Sequence, residues 1–215
     1  MSNSSMAAVA LAKAIAALEL IAAPARPDGT YNRCREACEQ LAQETLDHIS
    51  SLMTTAAPAP AVEVKVSGRV LVYSDGGCKG NPGPAGWGVV VVDEATETVL
   101  TEAAGFIGVA TNQVAEIVAA TEGLSRVPEG TEIVLISDSQ YTLKGLSEWR
   151  TGWVNRGWRT ASGDPVANKE HWMKLFAVAD KRKVTVRWVK GHAGDVNNER
   201  CDALAANIIA STVDI

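Results

Sequence analysis

The stretch that decides the fold is Val70-Leu71-Val72-Tyr73-Ser74-Asp75-Gly76-Gly77-Cys78-Lys79-Gly80-Asn81-Pro82-Gly83-Pro84. It begins as an apolar run rich in valine, meets a carboxylate at Asp75 and continues into a turn rich in Gly and Pro. Such a run predicts a buried strand that stops near Asp75. A desolvated carboxylate is costly unless it is paired or binds a metal, so Asp75 is a candidate for chemistry, although Asp-Gly is also an ordinary way to open a turn.

The sequence after this stretch predicts a mixed α/β domain. Strands are predicted at 70–75, 87–92 and 98–107 as an antiparallel meander, and then at 131–136 and 184–188. Helices are predicted at 111–127, at 139–146, through Trp172, and from about 197 to 211. Strands alternating with helices after a meander favour a mixed sheet with helices on its faces.

Residues 1–61 differ in composition and are predicted to form a separate unit. Leu11, Ile15 and Leu18 lie on one helical stripe and a second helical pattern covers 31–53, so residues 6–53 predict an α-helical hairpin. The Pro/Ala stretch 54–61 predicts an extended linker that separates this unit from a domain over 62–215.

The partner of the hairpin is left open by the sequence. Up to residue 65 the chain has five Lys and Arg against seven Asp and Glu, which disfavours direct binding to a polyanion. Two amphipathic helices cannot bury both apolar faces alone, so we expect residues 6–53 to form a homodimer, bind a protein partner or dock on the second domain. The remaining alternative is a disordered tail.

The charge, the N-terminal segment and the cysteines indicate which binding sites and which location to expect. The formal net charge is −5, so a nucleic-acid contact must come from a local patch. Residues 6–23 are too short and too polar to span a bilayer and lack the basic start of a secretory leader, so we expect a cytoplasmic protein without membrane contact. Cys34 and Cys38 are half of a zinc site or two small apolar residues in a helix interface.

Four acidic residues are predicted to lie in largely apolar surroundings. Two buried strands lead into Asp75 and Asp138, and sites in open α/β sheets collect at strand ends. Glu116 and Asp202 lie on predicted helices, where the alternative is a solvated helix face. If the four converge they repel one another, and hard oxygen ligands suit Mg²⁺ or Mn²⁺. Two such ions can activate water and stabilise a leaving oxygen in phosphodiester hydrolysis.

Five blocks of the sequence resemble bacterial-type ribonuclease HI. They are YSDGGCKGNPGP at 73–84, TNQVAE at 111–116, DSQY at 138–141, WVKGHAG at 188–194 and NERCD at 198–202. Their order and spacing fit the family over residues 69 to about 210. The resemblance implies the ribonuclease H fold, a five-stranded mixed sheet with helices on both faces. It also implies an endonuclease that cleaves the RNA strand of an RNA–DNA hybrid and leaves 5′-phosphate and 3′-hydroxyl ends.

The same resemblance implies roles for individual residues. Asp75, Glu116, Asp138 and Asp202 would bind two Mg²⁺ ions, with Mn²⁺ as a substitute, and His192 on a Gly-flanked loop would assist proton transfer or product release. The positions that would contact the hybrid are Gly76, Cys78, Asn81, Thr111, Asn112, Gln113, Gln140, Trp153, Arg156, Trp158 and Asn168. Small polar groups among them would read ribose 2′-hydroxyls, which separate RNA from DNA.

Three departures from the family pattern affect the predicted substrate contacts. Gln113 stands where the family usually has Asn, and Val109 stands where well-known relatives have an Arg against the DNA phosphate. The segment that contains Trp149, Trp153, Arg156, Trp158 and Arg159 resembles the protruding basic handle with which the family grips the DNA strand. In this handle, residues 162–164 (Ser-Gly-Asp) replace positions that are commonly lysine-rich, which predicts weaker and less salt-sensitive binding.

Two further expectations remain to be tested. We expect Trp153 and Trp158 to be partly exposed and Trp172 and Trp188 to lie in the core. The alternative function is a binding module of the same fold that has no catalytic activity and binds its partner through the hairpin. The presence of all four acids and His192 argues against this alternative.

Overall fold

A computed structural model describes residues 68–213 of the chain. The predicted hairpin at 6–53, the linker and the boundary at 61/62 lie outside the described residues. Within the described range, no helix combines the length and the apolar character needed to cross a membrane.

Five strands form one mixed sheet. They are β1 (Val70–Cys78), β2 (Gly83–Asp93), β3 (Val99–Ala110), β4 (Glu132–Ser137) and β5 (Lys183–Trp188). Their order across the sheet is β3-β2-β1-β4-β5. The pairs β1/β2 and β2/β3 are antiparallel, and β1/β4 and β4/β5 are parallel. The predicted five-stranded mixed sheet is confirmed, and β1 is its central strand.

Helices cover both faces of this sheet. They are α1 (Asn112–Ser125), α2 (Gln140–Lys144), α3 (Arg150–Asn155), α4 (Lys169–Ala179) and α5 (Val196–Val213), with a π-helical turn at Gly145–Trp149. The larger core lies under α1 and α4, where Ile117, Trp172 and Leu175 pack on Val72 and Leu135. A smaller core lies under α5, where Cys201 is buried against the other face. Helices on both faces are therefore confirmed.

The structure corrects two element boundaries. β1 runs through Asp75 to Cys78, because Asp75 pairs with Gly88 and the ladder to β2 continues as far as Cys78 and Ala85. The helix predicted at 139–146 is interrupted, because Gly145 lies directly against the Trp172 ring and the backbone opens there into the π-helical turn.

Candidate active site

Asp75 lies in the middle of the sheet at the end where the site forms. Its neighbour Gly76 has no side chain because a Cβ there would collide with the backbone carbonyl of Ala115 on α1. This contact brings β1 and α1 close together. Glu116, the residue after Ala115, is thereby placed next to the carboxylate-bearing part of β1.

α1 begins at a well-formed N-cap. The Thr111 side chain accepts a hydrogen bond from the Val114 N–H at 3.3 Å, so the first turn is fixed beside the end of β1. Glu116 is partly exposed and accepts a 2.5 Å hydrogen bond from the Ser139 hydroxyl. Ser139 also caps α2, since it accepts the Thr142 N–H at 3.1 Å. The hydroxyl therefore connects the α1 carboxylate to the segment that follows β4.

Asp138 comes directly after β4, the strand parallel to β1. Its backbone carbonyl accepts a hydrogen bond from the Trp188 indole N–H at 3.0 Å. Gly191 approaches its carboxylate so closely that a Cβ would collide with Asp138 Oδ2. The prediction that Trp188 lies in the core is wrong: it is 50% exposed, because β5 is an edge strand and Trp188 is its last residue.

Asp202 lies on α5 and faces the same end of β1. Together with Asp75 it lines a cavity of about 390 Å³ whose other walls are formed by the end of β1 and by small apolar residues of α5. His192 lies on the loop before α5 with its Nδ1 3.8 Å from Asp202 Oδ2. This distance is too long for a hydrogen bond, and the His192 side chain is 79% exposed.

The surroundings of Asp75 and Glu116 raise the pKa of both carboxyl groups. Burial and the charges of Asp138, Asp202 and Glu116 raise the pKa of Asp75 to about 7, against a smaller lowering by the Gly76 N–H. Burial and the Asp138 charge raise the pKa of Glu116, whereas the Ser139 hydroxyl lowers it. Asp75 is therefore the acid of this group on which the charges of the other three act.

The donor set fits a divalent cation in its chemistry. Carboxylate oxygens are the ligands that Mg²⁺ and Mn²⁺ prefer, and a cation would remove the repulsion that raises the pKa of Asp75. Among residues 68–213, however, no three His, Cys, Asp or Glu side chains are arranged so that they could bind a metal ion together.

A second group of polar residues lies beside the acids. The Asn112 side-chain oxygen accepts hydrogen bonds from the Cys78 N–H and the Cys78 thiol, both at 2.9 Å. The Asn81 side-chain oxygen accepts the Asn112 N–H at 3.3 Å. These contacts join the end of β1 to the start of α1, so Gly76, Cys78, Asn81, Thr111 and Asn112 lie in one place. Gln113 and Gln140 lie exposed on the first turns of α1 and α2.

Comparison with known proteins identifies the family. The RNase H family model matches residues 67–210, more than half of the chain. The chain belongs to the ribonuclease H family. It is 46% identical to a Ribonuclease H of Pseudomonas entomophila over 140 residues, which cover 65% of this chain and 93% of that protein. It is 48% identical to a Ribonuclease H of Xanthomonas oryzae pv. oryzae over 138 residues, which cover 64% and 90%.

Solved structures of ribonucleases H share the fold. The N-terminal RNase H domain of rv2228c from Mycobacterium tuberculosis superposes with a TM-score of 0.56 at 28% identity, covering 69% of this chain and 98% of that one. LC11-RNase H1, solved in complex with an RNA/DNA hybrid, superposes with a TM-score of 0.52 at 26% identity, covering 67% and 99%. This chain is accordingly a ribonuclease H, an enzyme of the nuclease class.

The handle of this ribonuclease H differs from the expectation in one aromatic residue. Trp153 was predicted to be partly exposed, but this prediction is wrong because it is only 8% exposed and packs against Trp149 and Trp172. Its indole supports the handle from inside the core. Trp158 is partly exposed, as predicted, and stacks on Phe176 with the Lys169 ammonium 5.7 Å from its ring. Trp172 is fully buried, as predicted.

The handle also has less free charge than the sequence suggests. Arg150 makes two 2.6 Å contacts with the Asp180 carboxylate and lies over the Phe176 ring, so it stabilises α3 against α4. Arg156 is exposed and donates to the Arg159 carbonyl at 3.2 Å. Asn168, in a left-handed conformation at φ 58°, donates to the Tyr141 hydroxyl at 3.3 Å.

Two residues of the site were missed by sequence reasoning. Ser139 holds Glu116, and Tyr141 accepts hydrogen bonds from Asn168 and from the Trp172 indole at 3.4 Å. Both lie in the block at 138–141 that carries Asp138. The available signal was that Ser139 follows a strand and opens a helix, where an N-cap is expected.

Proposed function

We propose that this ribonuclease H hydrolyses the RNA strand of RNA–DNA hybrids by two-metal-ion catalysis and leaves 5′-phosphate and 3′-hydroxyl ends. The observation that carries the proposal is that three carboxylates, those of Asp138, Asp202 and Glu116, act on Asp75 and raise its pKa together with burial. Members of the family generally use divalent metal ions, and LC11-RNase H1 binds an RNA/DNA hybrid. Metal binding suits a site with several carboxylates, and a bound metal would in turn attract the phosphates of a hybrid.

Asp75, Glu116, Asp138 and Asp202 would hold the two ions, with Mg²⁺ as the expected metal and Mn²⁺ as its substitute. The ions would supply Lewis-acid stabilisation of the phosphate and a nucleophilic water. Ser139 donates a hydrogen bond to the Glu116 carboxylate and thereby favours its ionised form. His192, exposed on its loop, would exchange a proton at its imidazole with the leaving group or with water.

Recognition of RNA would come from the polar group beside the acids. The thiol of Cys78 and the amides of Asn81 and Asn112 offer donors and acceptors to ribose 2′-hydroxyls next to the cleaved phosphate. Gln113 and Gln140 are exposed on the same side and would extend this contact. Thr111 and Asn168 would hold a phosphate of the DNA strand, and Arg156 and Trp158 would contact it further along the handle.

A cleavage assay tests this function directly. Wild type is incubated in Mg²⁺ or Mn²⁺ with a labelled RNA–DNA hybrid, double-stranded RNA or double-stranded DNA. Asp75→Asn is assayed beside it, with Glu170→Gln, at an exposed position of α4, as the control. We expect cleavage of the hybrid only, ends bearing 5′-phosphate, a loss of at least about 1,000-fold in Asp75→Asn and none in Glu170→Gln. Failure of wild type in both Mg²⁺ and Mn²⁺ would support the idle binding module instead.

For residues 6–53 we propose a homodimer or protein-partner module. The support is the amphipathic pattern of two helical segments in a unit of low positive charge. Light scattering of the full chain, compared with a Leu11→Ser, Ile15→Ser variant, tests the dimer. A monomeric wild type would exclude the dimer and leave a different protein as the partner.

We also propose that the enzyme acts in the cytoplasm. Cys78 and Cys201, the two cysteines within the described residues, are free thiols, as is usual in a reducing compartment. Fractionation of the source cells with an antibody against the protein tests this location. Recovery in an extracytoplasmic fraction would contradict it.

A further inference from the structure

We propose that Glu199 is a positioning residue that fastens the His192 loop to the helix carrying Asp202. This inference rests on the proposed function, because the role of His192 belongs to it. The loop runs from the end of β5 to the start of α5 and contains Gly191, His192 and Gly194. The contacts at the two ends of this loop support the role of Glu199.

At its first end, the loop is held by β4 and Asp138. The Val189 N–H donates to the Ser137 carbonyl at 3.1 Å, and Gly191 lies against the Asp138 carboxylate. The His192 side chain, in the middle of the loop, is less restrained, because it is 79% exposed and Asp202 is too distant for a hydrogen bond. The position of the imidazole therefore depends on how the second end is held.

At the second end, Glu199 makes the connection. Its Oε1 accepts the Gly194 N–H at 2.9 Å. Gly194 has φ 91°, a conformation that L side chains rarely adopt, so this N–H points in a direction set by a glycine. Asp195 separately caps α5 by accepting the N–H groups of Asn197 and Asn198 at 3.2 and 3.1 Å. Capping of the helix and fastening of the loop are thus done by different carboxylates.

Glu199 lies on the same helix as Asp202, three residues earlier. A hydrogen bond from the loop to Glu199 therefore fixes the loop relative to Asp202 as well as to α5. A carboxylate acceptor makes a stronger hydrogen bond to an N–H than a neutral group does. Without it, the Gly194 N–H would bond to water, and His192 would spend less time where it can exchange a proton with the reacting group.

Steady-state kinetics on the full chain with the hybrid separate positioning from a structural role. We compare Glu199→Ala, Glu199→Gln, His192→Ala and the double variant His192→Ala/Glu199→Ala. The control is Glu102→Ala, which removes the ion pair to Arg200, the next residue of α5, without touching the loop. Thermal unfolding of every variant checks that the fold is intact.

We expect Glu199→Ala to lower kcat about fivefold with KM unchanged, because the residues proposed to bind the hybrid lie elsewhere. Glu199→Gln keeps an acceptor oxygen and should stay within about twofold of wild type. In the His192→Ala background, Glu199→Ala should cause no further loss, because the residue it positions is gone. An equal loss in both backgrounds, or an equal loss in Glu102→Ala, overturns the proposal.

Hydrogen exchange gives a second measurement that does not depend on activity. The amide of Gly194 should exchange faster in Glu199→Ala than in wild type, while amides of β1 stay unchanged. Unchanged exchange at Gly194 overturns the fastening itself. A wild type that cleaves no hybrid refutes the proposed function, but leaves this exchange experiment able to confirm or refute the contact.

Discussion

At the residue scale, Asp75 is a candidate catalytic group whose burial should also lower the stability of the protein. Its pKa is raised to about 7, first by burial and then by the neighbouring carboxylates. In the metal-free protein the folded state therefore binds more protons than the unfolded state between about pH 4 and pH 7. The contribution of Asp75 to the free energy of unfolding should therefore fall as pH rises through this window, by on the order of 2 to 4 kcal/mol.

Asp75→Asn should remove most of this dependence. In EDTA at pH 8 we expect the variant to unfold at a higher temperature than wild type, and at pH 4 the two should be similar, because Asp75 is then largely protonated. Thermal melts from pH 4 to 8 check this, and added Mg²⁺ should stabilise wild type more than the variant. A wild type that gains stability between pH 4 and 7 relative to Asp75→Asn would contradict the prediction.

Ser139 carries two contacts on one hydroxyl. Ser139→Ala removes the hydrogen bond to Glu116 and the N-cap of α2. We expect a loss of about 1 kcal/mol in the free energy of unfolding and a drop of about tenfold in kcat. The control is Ser125→Ala, which removes a hydroxyl at the far end of α1. If both variants kept full activity, Ser139 would not be needed to position Glu116.

At the scale of elements, the site depends on the close approach of β1 and α1. Gly76→Ala would push a Cβ into the Ala115 carbonyl, whereas Gly77→Ala would place its Cβ in open space. We expect Gly76→Ala to lower the free energy of unfolding by about 2 to 3 kcal/mol through overpacking, and Gly77→Ala to change it by less than about 1. Chemical denaturation of the pair measures the difference, and equal stabilities would mean that the two elements separate at little cost.

The elements around the site were predicted in type but not in extent. The apolar run at 70–75 indicated a strand, but only pairing with β2 shows that the strand passes Asp75 and reaches Cys78. Periodicity at 139–146 indicated a helix, but the contact between Gly145 and Trp172, distant in sequence, opens it into a π-helical turn. Local patterns carry no information about such contacts.

At the scale of the whole molecule, affinity for the hybrid depends on how much positive charge remains free. Arg150 is paired with Asp180 and so contributes little to a phosphate contact. We expect a shallow dependence of the dissociation constant on salt, with a log–log slope well below that of a protein with six or more phosphate contacts. Titration of Asp75→Asn, which we expect to be inactive, with labelled hybrid between about 50 and 300 mM salt measures the slope.

A charge reversal in the handle should make the dissociation constant depend more steeply on salt. In the Asp75→Asn background, Asp164→Lys places a cation where the family is commonly basic, and we expect the slope to steepen by about one unit. Glu97→Lys makes the same change of charge in the β2–β3 turn, at the end of the sheet away from Asp75, and should leave the slope nearly unchanged. A slope as steep in the parent as in a six-contact protein would refute the interpretation of a weakly charged handle.

The sequence by itself determined the family, the mixed sheet and the four acids, because short blocks of residues and strand and helix periodicities are local properties of the chain. The tertiary structure decided which side chains are buried, which are exposed and which are already paired. Trp153 is buried, Trp188 is exposed and Arg150 is paired because residues far along the chain, or the position of a strand at the edge of the sheet, set their surroundings. The shifted pKa of Asp75 and the contact of Glu199 with the His192 loop likewise depend on distances that only folding fixes.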